Sequence, residues 1–304
     1  MGEVIVVTGG KGGIGKTTVA VNLGRNLAAK NKRVLLVDAD FGLRKLDLLL
    51  NLDKCIKHDI DDVINNRCDT NDAILSCDSI PNLFLLPGSM NVGATSVSIE
   101  DFDIMIKMYK REYDYVIVDC PAGVDSGFRL AIVGADRALV VIGQDVSAVR
   151  DANRVIGLLR LNNIKYEMVI NYVNTEQVKT EDTLTVDIIE DAFGKSAFCL
   201  IPKDKNIPTS VNTGMEIPST ALVYKYFIHL CVLLYYVFFK ITTDFITANH
   251  KSFLFVFMQS AQEQIQVFTP STKKDAPSER SHPYPFLILF YWTNSDFTYP
   301  TVQL

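Results

Sequence analysis

A glycine-rich segment near the start of the chain carries the residues best suited to chemistry. Residues 10–17 follow the pattern G-x-x-x-x-G-K-[ST] and come directly after the apolar run 4–7. Glycines let backbone N–H groups turn inward around phosphate oxygens, and a helix start adds its positive end. The lysine reaches the β- and γ-phosphates in such loops, and the threonine hydroxyl coordinates Mg²⁺. The pattern therefore predicts a site for a nucleoside triphosphate with Mg²⁺, formed by Gly10, Lys11, Gly12, Gly13, Ile14, Gly15, Lys16, Thr17 and Thr18.

The same glycines permit a second interpretation. Gly10, Gly12 and Gly15 also match G-x-G-x-x-G, and Asp38 lies where a dinucleotide-binding fold keeps its ribose-binding acid. That pattern has no need for the Lys16-Thr17 pair or for a second acidic strand end. A glycine-rich turn without any ligand is the third possibility. The triphosphate site is favoured because motif and strand–loop–helix context agree.

Three aspartates follow apolar runs that are predicted to be strands. Asp38 and Asp40 come after the run 34–37, and Asp119 comes after the run 115–118. Ligands of open α/β sheets bind at the carboxyl ends of parallel strands. Asp119 is placed to hold Mg²⁺ through a water, as a Walker-B aspartate does. Asp38 and Asp40 could polarise a hydrolytic water. Asp38 and Thr17 are the other candidate metal ligands. A single aspartate at a strand end could instead serve only as the N-cap of the next helix.

The elements that must position these residues alternate between strand and helix. Six short runs are continuously apolar, as expected for strands covered on both faces. Residues 17–30 place their apolar side chains on one helical stripe. This alternation predicts an α/β fold with a mostly parallel, twisted sheet and helices on both faces. The six strand-like runs lie at 4–7, 34–37, 83–86, 115–118, 138–142 and 168–170.

Composition narrows the class of protein. The chain has 304 residues, of which 48% are apolar, with a net charge of −5 and a pI of about 5.4. An acidic chain of this kind is not expected to bind nucleic acid as its main activity. None of the six cysteines forms a CxxC pair, so a reducing compartment is expected. No charged-then-apolar leader precedes the first strand, which predicts that the chain has no targeting peptide.

Glycine and aromatic residues divide the chain in two. All 17 glycines lie between Gly2 and Gly214, whereas 18 of the 29 Phe and Tyr residues lie from Tyr224 onward. The apolar stretch 221–239 is interrupted by Lys225 and His229, which favours a buried or interfacial segment over a membrane span. The sequence predicts a nucleotide-binding domain over 1–240 and an irregular, aromatic-rich tail over 241–304. The composition of that tail would also suit disorder or a shifted reading frame.

Four separated motifs carry a family resemblance. Residues 11–18 resemble the deviant Walker A motif of the ParA/Mrp/MinD ATPases, whose signature is the extra lysine, here Lys11. Residues 38–50, 119–127 and 146–152 are similar to further blocks of the septum-site-determining branch of that family. The resemblance covers about residues 2–220. It implies a P-loop NTPase fold of the SIMIBI type, ATP and Mg²⁺ as ligands, and hydrolysis of ATP to ADP and phosphate.

The resemblance also assigns roles to single residues. It implies a homodimer in the ATP-bound state, in which Lys11 reaches the partner subunit's phosphates. Lys16 belongs to the catalytic set, and Asp40, beside Asp38, matches the residue that positions water. Asn171 matches an adenine-recognising residue. An asparagine that only forms a turn at the end of the strand is an equally supported interpretation. Two further residues match a segment that lines the adenine: Pro202 and Asp204.

The family role is that of a membrane-associated switch in cell division. It implies recruitment of a MinC-like division inhibitor, hydrolysis stimulated by a MinE-like topological regulator, and peripheral attachment to an anionic membrane. The expected location is the cytoplasm and inner face of the cell membrane, or the stroma and inner envelope of a plastid. Two features depart from the family: no C-terminal amphipathic helix is recognisable, and Lys45 stands where an asparagine is usual.

Other members of the wider family remain as alternatives. A DNA-segregating ParA-like ATPase would need a basic surface, but residues 1–216 carry 24 Lys and Arg against 30 Asp and Glu. An iron–sulfur carrier would need a CxxC pair. A flagellar-number regulator is closer, although Arg44 and the run 48–50 favour the septum-site branch. A scaffold that binds ATP without hydrolysing it also stays open.

Overall fold

The computed structural model describes residues 2–91, 93–174 and 183–204, which build a single eight-stranded sheet. The strands cross the sheet in the order β3-β4-β2-β5-β1-β6-β7-β8. All neighbouring pairs are parallel except β3 with β4, which is antiparallel. The strands are β1 (Glu3–Thr8), β2 (Val34–Asp38), β3 (Leu75–Ser76), β4 (Leu83–Leu86), β5 (Tyr115–Asp119), β6 (Arg137–Ile142), β7 (Lys165–Val173) and β8 (Cys199–Pro202).

Helices fill most of the connections between strands. Several begin with a side chain that accepts a backbone N–H of the first turn: Asp59 for α3, Ser98 for α4, Asp145 for α6 and Thr185 for α7. Such caps satisfy donors that the helix itself leaves unpaired. The helices are α1 (Lys16–Ala28), α2 (Leu46–Leu49), α3 (Ile60–Ile64), α4 (Ile99–Glu112), α5 (Ser126–Ala131), α6 (Val146–Leu161) and α7 (Val186–Phe193), with short 3₁₀ turns at Asp53–Cys55 and Ala94–Ser96.

Both faces of the sheet are buried. Along β1, Val4 and Val6 pack into one hydrophobic cluster, whereas Ile5 and Val7 pack into the other. The first cluster includes apolar side chains of α4 and α6, and the second includes those of α1. Each fully buried aliphatic side chain contributes about 1.5–3 kcal/mol of transfer free energy. This two-sided burial explains why the strands are continuously apolar in sequence.

Strand register brings the carboxyl ends of β1, β2 and β5 together. Strand β5 lies between β1 and β2, so chain neighbours β1 and β2 do not pair with each other. In this register Asp119 lies opposite Val7 on one side and opposite Asp38 on the other. The loops that leave these three strands therefore begin at one edge of the sheet, where an α/β fold binds its ligands.

The fold class and all six predicted strands are confirmed, with corrections at the margins. Strand β7 runs to Val173 instead of ending at Asn171, and α1 spans 16–28 instead of 17–30. Strands β3 and β8 were not predicted, because β3 has only two residues and β8 ends in Pro202, a residue type that is depleted in strands. Within the part of the chain that the structure describes, every helix is too short or too polar to cross a bilayer. The predicted boundary at 240, the segment 221–239 and the tail 241–304 lie outside the described residues.

Candidate functional site

The site lies where the β1–α1 loop meets the ends of β2 and β5. The loop covers residues 9–15, between the end of β1 at Thr8 and the start of α1 at Lys16. It is tied to the segment after β5, because the Gly123 amide donates a hydrogen bond of 3.0 Å to the Gly10 carbonyl. The structure therefore brings the predicted phosphate loop and two of the predicted aspartates, Asp38 and Asp119, to one edge of the sheet.

The glycines of this loop serve two purposes. Gly13 and Gly15 have φ angles of +75° and +90°, which disfavour residues with a side chain. Gly10 is needed for a different reason, since a Cβ there would lie 2.5 Å from the Cβ of Asp151 on α6. A Cβ on Gly12, by contrast, would have its nearest neighbouring atom 3.9 Å away, so this side of the loop is open. The open side is where a ligand can approach the backbone.

Two carbonyls of the loop, those of Gly13 and Ile14, are held away from that open side. The Ile14 carbonyl accepts a hydrogen bond of 2.8 Å from Asn171 Nδ2, and the Gly13 carbonyl accepts one of 3.2 Å from the Tyr172 hydroxyl. No described residue accepts a hydrogen bond from the amide groups of 12–15. Unpaired N–H groups at the start of a helix form an anion-binding nest. The backbone therefore fits phosphate oxygens.

The two lysines of the loop have different surroundings. Lys16 is only 8% exposed, and its Nζ donates a hydrogen bond of 3.1 Å to the Lys11 carbonyl. Burial lowers the pKa of Lys16, while the nearby Asp119 carboxylate opposes that shift. Lys11 instead lies at the rim, where its Nζ is 2.9 Å from both Asp145 Oδ1 and Ser147 Oγ. One lysine thus belongs to the interior of the loop and the other to its outer edge.

Asp38 is buried and anchors the segment that follows β2. Its Oδ1 accepts a hydrogen bond of 3.0 Å from the Asp40 amide, and its Oδ2 accepts bonds of 2.9 and 3.0 Å from the amides of Lys45 and Leu46. Burial raises the pKa of Asp38, although these bonds to the carboxylate oppose the shift. The observed role of this side chain is to fix the course of residues 40–46. Its assignments to the metal and to catalysis stay predictions.

Asp119 offers the free oxygen that Asp38 lacks. It is 1% exposed, and its Oδ1 has no hydrogen-bond partner among the described residues. Burial and the neighbouring Asp38 carboxylate raise the pKa of Asp119 to about 8, while a hydrogen bond from the Thr17 hydroxyl opposes the shift. A buried, unpaired carboxylate oxygen is costly unless a cation or proton neutralises it. Asp119 and Thr17 therefore fit a hard divalent cation with oxygen ligands.

The donor set suits magnesium held together with a nucleotide. Within the described ranges, no group of three or more His, Cys, Asp or Glu side chains could hold a metal alone. Mg²⁺ is usually bound by one or two carboxylates together with substrate phosphates and water. One free carboxylate oxygen, a threonine hydroxyl and an adjacent phosphate nest meet that requirement. When bound, Mg²⁺ would neutralise negative charge on the phosphates.

Asp40 is paired with Lys45. The Lys45 Nζ lies 2.5 Å from Asp40 Oδ2, and the Lys45 side chain is 49% exposed. Partial burial lowers the pKa of Lys45, but the hydrogen bond and charge of Asp40 outweigh it and raise that pKa overall. The sequence showed Lys45 as a departure from its family but carried no indication of this contact. The carboxylate predicted to position water is thus held by a neighbouring cation.

The predicted adenine residues lie around the ends of β7 and β8. Asn171 is 3% exposed, and its Oδ1 has no hydrogen-bond partner among the residues that the structure describes. Pro202 is buried at the end of β8 and lies opposite Val173 of β7. Asp204 follows two residues later and is partly exposed. The structure therefore brings Asn171 to the phosphate loop and Pro202 to the adjacent strand, whereas their contact with adenine stays a prediction.

Sequence reasoning missed three residues that contact the site. Asp145 and Ser147 hold the Lys11 ammonium, and Tyr172 bonds the Gly13 carbonyl. The capping of α6 by Asp145 was the available signal, because an aspartate before an apolar helical stretch is a helix N-cap. Nothing in the sequence pattern indicated the Tyr172 contact, which joins residues 159 positions apart.

The chain is similar to known proteins in sequence and in fold. A family model described as an AAA domain matches residues 2–171. The septum site-determining protein MinD of Synechocystis sp. is 41% identical over 215 residues, which cover 70% of this chain and 81% of that protein. The MinC:MinD cell division protein complex of Aquifex aeolicus contains a chain with a TM-score of 0.71 and 37% identity, and the match covers 77% of this chain and 95% of that one.

A second solved structure bears on the ligand. The septum site-determining protein MinD of Pyrococcus horikoshii, complexed with Mg-ADP, has a TM-score of 0.69 and 25% identity, and the match covers 76% of this chain and 95% of that one. The matched family model spans the phosphate loop and both acidic strand ends. By sequence and by fold, this chain belongs to the MinD family of septum site-determining P-loop ATPases.

Proposed function

We propose that this chain binds Mg-ATP, dimerises around it and hydrolyses it, and that this cycle switches its attachment to a membrane. The observation that carries the proposal is the pairing of two unsatisfied sets of atoms at one edge of the sheet. One set is the inward N–H groups of residues 12–15, and the other is the free Oδ1 of Asp119 beside Thr17. The first suits phosphate oxygens and the second suits a divalent cation.

Each loop residue has a separate task in this proposal. Lys16 leaves the Lys11 carbonyl, 3.1 Å away, and binds the β- and γ-phosphates. Thr17 and Asp119 hold Mg²⁺, which neutralises charge on the phosphates. Asp40 orients the attacking water. To do so, its carboxylate must give up the hydrogen bond from Lys45 and accept one from the water. Asp38 holds the backbone of 40–46 so that Asp40 faces the phosphates.

The base is proposed to be adenine because of the free amide oxygen of Asn171. The Asn171 Nδ2 is engaged by the Ile14 carbonyl, so the remaining Oδ1 can only accept a hydrogen bond. Adenine offers a donor in its exocyclic amine, whereas guanine offers a carbonyl acceptor at the equivalent position. Two further residues are proposed to line the base, namely Pro202 and Asp204.

Dimerisation is proposed to depend on Lys11. Its side chain is 41% exposed at the rim of the loop, and the Ser147 that it contacts follows Val146, which is 67% exposed on α6. A solvent-exposed ion pair such as Lys11–Asp145 contributes little stability, so Lys11 can leave it at small cost. In the dimer Lys11 contacts the partner subunit's phosphates, where a cation stabilises the charge of the transferring phosphoryl group.

The cellular role is proposed from the family. The Aquifex aeolicus structure is a MinC:MinD complex, which supports a MinC-like division inhibitor as a partner of this chain. We further propose a MinE-like regulator that stimulates hydrolysis, no nucleic-acid partner, and peripheral attachment to an anionic membrane on the inner face of the cell membrane or plastid envelope. The element proposed to dock on lipid is the aromatic-rich tail, residues 241–304, which lies outside the described part of the chain.

One experiment tests the cycle as a whole. The full chain is incubated with anionic vesicles and with Mg-ATP or Mg-ADP, and sedimentation and phosphate release are measured together. Sedimentation with Mg-ATP but not with Mg-ADP, with phosphate release, is the expected result. Equal sedimentation with both nucleotides would contradict a nucleotide-gated switch. Sedimentation with Mg-ATP without phosphate release would favour the scaffold. A parallel incubation in which DNA replaces the vesicles tests the remaining alternative, because ATP-dependent binding to DNA would favour a ParA-like ATPase.

A further inference from the structure

Tyr172 has a backbone conformation that its residue type disfavours. Its φ angle is +61°, in the left-handed region, and it lies at an irregularity in the pairing of β7 with β8 between Asn171 and Val173. A non-glycine residue in this region costs about 1–2 kcal/mol. The residue is 40% exposed, so burial does not by itself offset that cost. Strain of this kind is typically retained where it serves a site.

The conformation lets two consecutive side chains reach two consecutive peptides of the phosphate loop. Asn171 Nδ2 donates to the Ile14 carbonyl at 2.8 Å, and the Tyr172 hydroxyl donates to the Gly13 carbonyl at 3.2 Å. Neighbouring residues of a regular strand point to opposite faces, so only the irregularity allows both to meet one loop. The contact is close, since a Cβ on Gly15 would lie 2.3 Å from Asn171 Nδ2 and 3.5 Å from the Tyr172 hydroxyl.

Holding these carbonyls sets the direction of the loop amides. The described chain contains no cis peptide, so each carbonyl points opposite to the N–H of the following residue. With the carbonyls of Gly13 and Ile14 held from behind, the N–H groups of Ile14 and Gly15 face the open side. Those two amides therefore do not need to be reoriented when a phosphate binds. Pre-organisation of donors improves binding by reducing the cost of ordering them.

We propose that Tyr172 is a positioning residue for nucleotide binding, which supports the phosphate loop from behind through its hydroxyl. This rests on the proposed binding of Mg-nucleotide by the loop and adds a residue that the phosphate-loop motif does not contain. Tyr172 acts on the ligand only through Gly13, so it sets affinity for the phosphates and takes no part in bond breaking. The backbone strain at Tyr172 is the cost of that support.

The test removes the hydroxyl alone. In the full chain, Tyr172→Phe is expected to raise the Kd for Mg-ADP by roughly 2- to 10-fold, the effect of one hydrogen bond. The kcat at saturating Mg-ATP should stay within about twofold, because the reacting atoms are not contacted. Calorimetric titration with Mg-ADP and a steady-state ATPase assay measure the two quantities. A Tyr172→Phe chain with the parental Kd would overturn the proposal.

A matched control separates positioning from general stability. Tyr109→Phe removes a hydroxyl that also donates 3.2 Å to a backbone carbonyl, that of Thr70, but outside the phosphate loop. Tyr109→Phe should leave the Kd for Mg-ADP unchanged, and an equal weakening in both variants would contradict a specific role for Tyr172. Tyr172→Gly relieves the strained φ and should bind as weakly as Tyr172→Phe. If the parental chain itself binds no Mg-ADP, the proposed function fails, not this assignment alone.

Discussion

The two sides of the candidate site are built by different means. The phosphate side, residues 10–16, is mostly backbone, and three of its carbonyls are held from outside by Gly123, Asn171 and Tyr172. The acidic side consists of carboxylates, of which Asp38 and Asp119 are buried opposite each other on β2 and β5. On the phosphate side, folding of the chain alone sets the direction of the backbone groups. The acidic side carries negative charge that burial disfavours, so it gains most from a bound cation.

The lysines on the two sides also differ in burial and in the group that they bind. Lys16 on the phosphate side is buried and bonds a backbone carbonyl, whereas Lys45 on the acidic side is half-exposed and bonds the Asp40 carboxylate. A buried lysine has no alternative partner in solvent, but an exposed ion pair exchanges readily with water. Substitutions on the phosphate side should therefore affect binding strongly, and those on the acidic side should affect pH dependence and rate.

Lys16→Ala on the phosphate side should weaken binding more than any other substitution considered. Removing the buried ammonium should abolish detectable Mg-ATP binding, because the β- and γ-phosphates lose their main cation. Calorimetric titration with Mg-ATP measures this, and Lys30→Ala beyond the end of the same helix is the control, with binding expected to be unchanged. Parental affinity in Lys16→Ala would show that the loop is not the phosphate site.

Lys11→Ala should spare binding but not hydrolysis. The exposed side chain of Lys11 contacts Asp145 and Ser147 of its own chain, so its loss leaves the loop intact. Loss of a cation supplied across the dimer should lower kcat by roughly 10²- to 10³-fold and prevent ATP-dependent dimerisation. Phosphate release and light scattering with Mg-ATP measure the two effects. A variant that hydrolyses ATP at the parental rate would refute the role across the dimer.

The acidic side predicts a dependence of stability on pH. The pKa of Asp119 is raised from 3.8 to about 8 in the folded state, so between about pH 4 and pH 8 the folded protein holds a proton that the unfolded chain has lost. The free energy of unfolding should therefore fall as pH rises through this window, by at most about 1.4 kcal/mol per pH unit. Mg-ADP should stabilise the protein more at high pH, because the metal needs the ionised carboxylate.

Thermal unfolding between pH 5 and pH 9, with and without Mg-ADP, measures this dependence. Asp119→Asn removes the titrating group, so its ligand-free profile should be flatter than the parental one. Its gain in stability from Mg-ADP should also be smaller at pH 9. Identical slopes in the two proteins would show that Asp119 does not carry the titration.

Lys45→Asn should have the mildest consequence of these substitutions. Breaking the contact with Asp40 frees the carboxylate to orient water, so the basal ATPase rate should rise a few-fold, about 1 kcal/mol in barrier. Stability should change by less than about 1 kcal/mol, as for other exposed pairs. Lys107→Asn, which breaks a 2.6 Å pair with Asp103 on α4, is the matched control and should leave the rate unchanged. A slower Lys45→Asn enzyme would show that Lys45 assists hydrolysis.

Local sequence patterns alone established most of the elements and the nature of the loop. Continuous apolar runs predicted six of the eight strands, and the spacing of Gly10, Gly15 and Lys16 predicted a phosphate loop between β1 and α1. These features are local, since an apolar run and a helix cap are each defined by residues within a few positions of each other. Local patterns also sufficed for the family, because its motifs are contiguous.

The groups that each site residue contacts depended instead on how the strands assemble. Lys11 is hydrogen-bonded to Asp145 of the same chain, and the phosphate loop is hydrogen-bonded to Asn171 and Tyr172. These bonds join residues 134 to 159 positions apart. Such contacts arise from the order of strands in the sheet and from one irregularity in β7, and no periodicity along the chain encodes either of them.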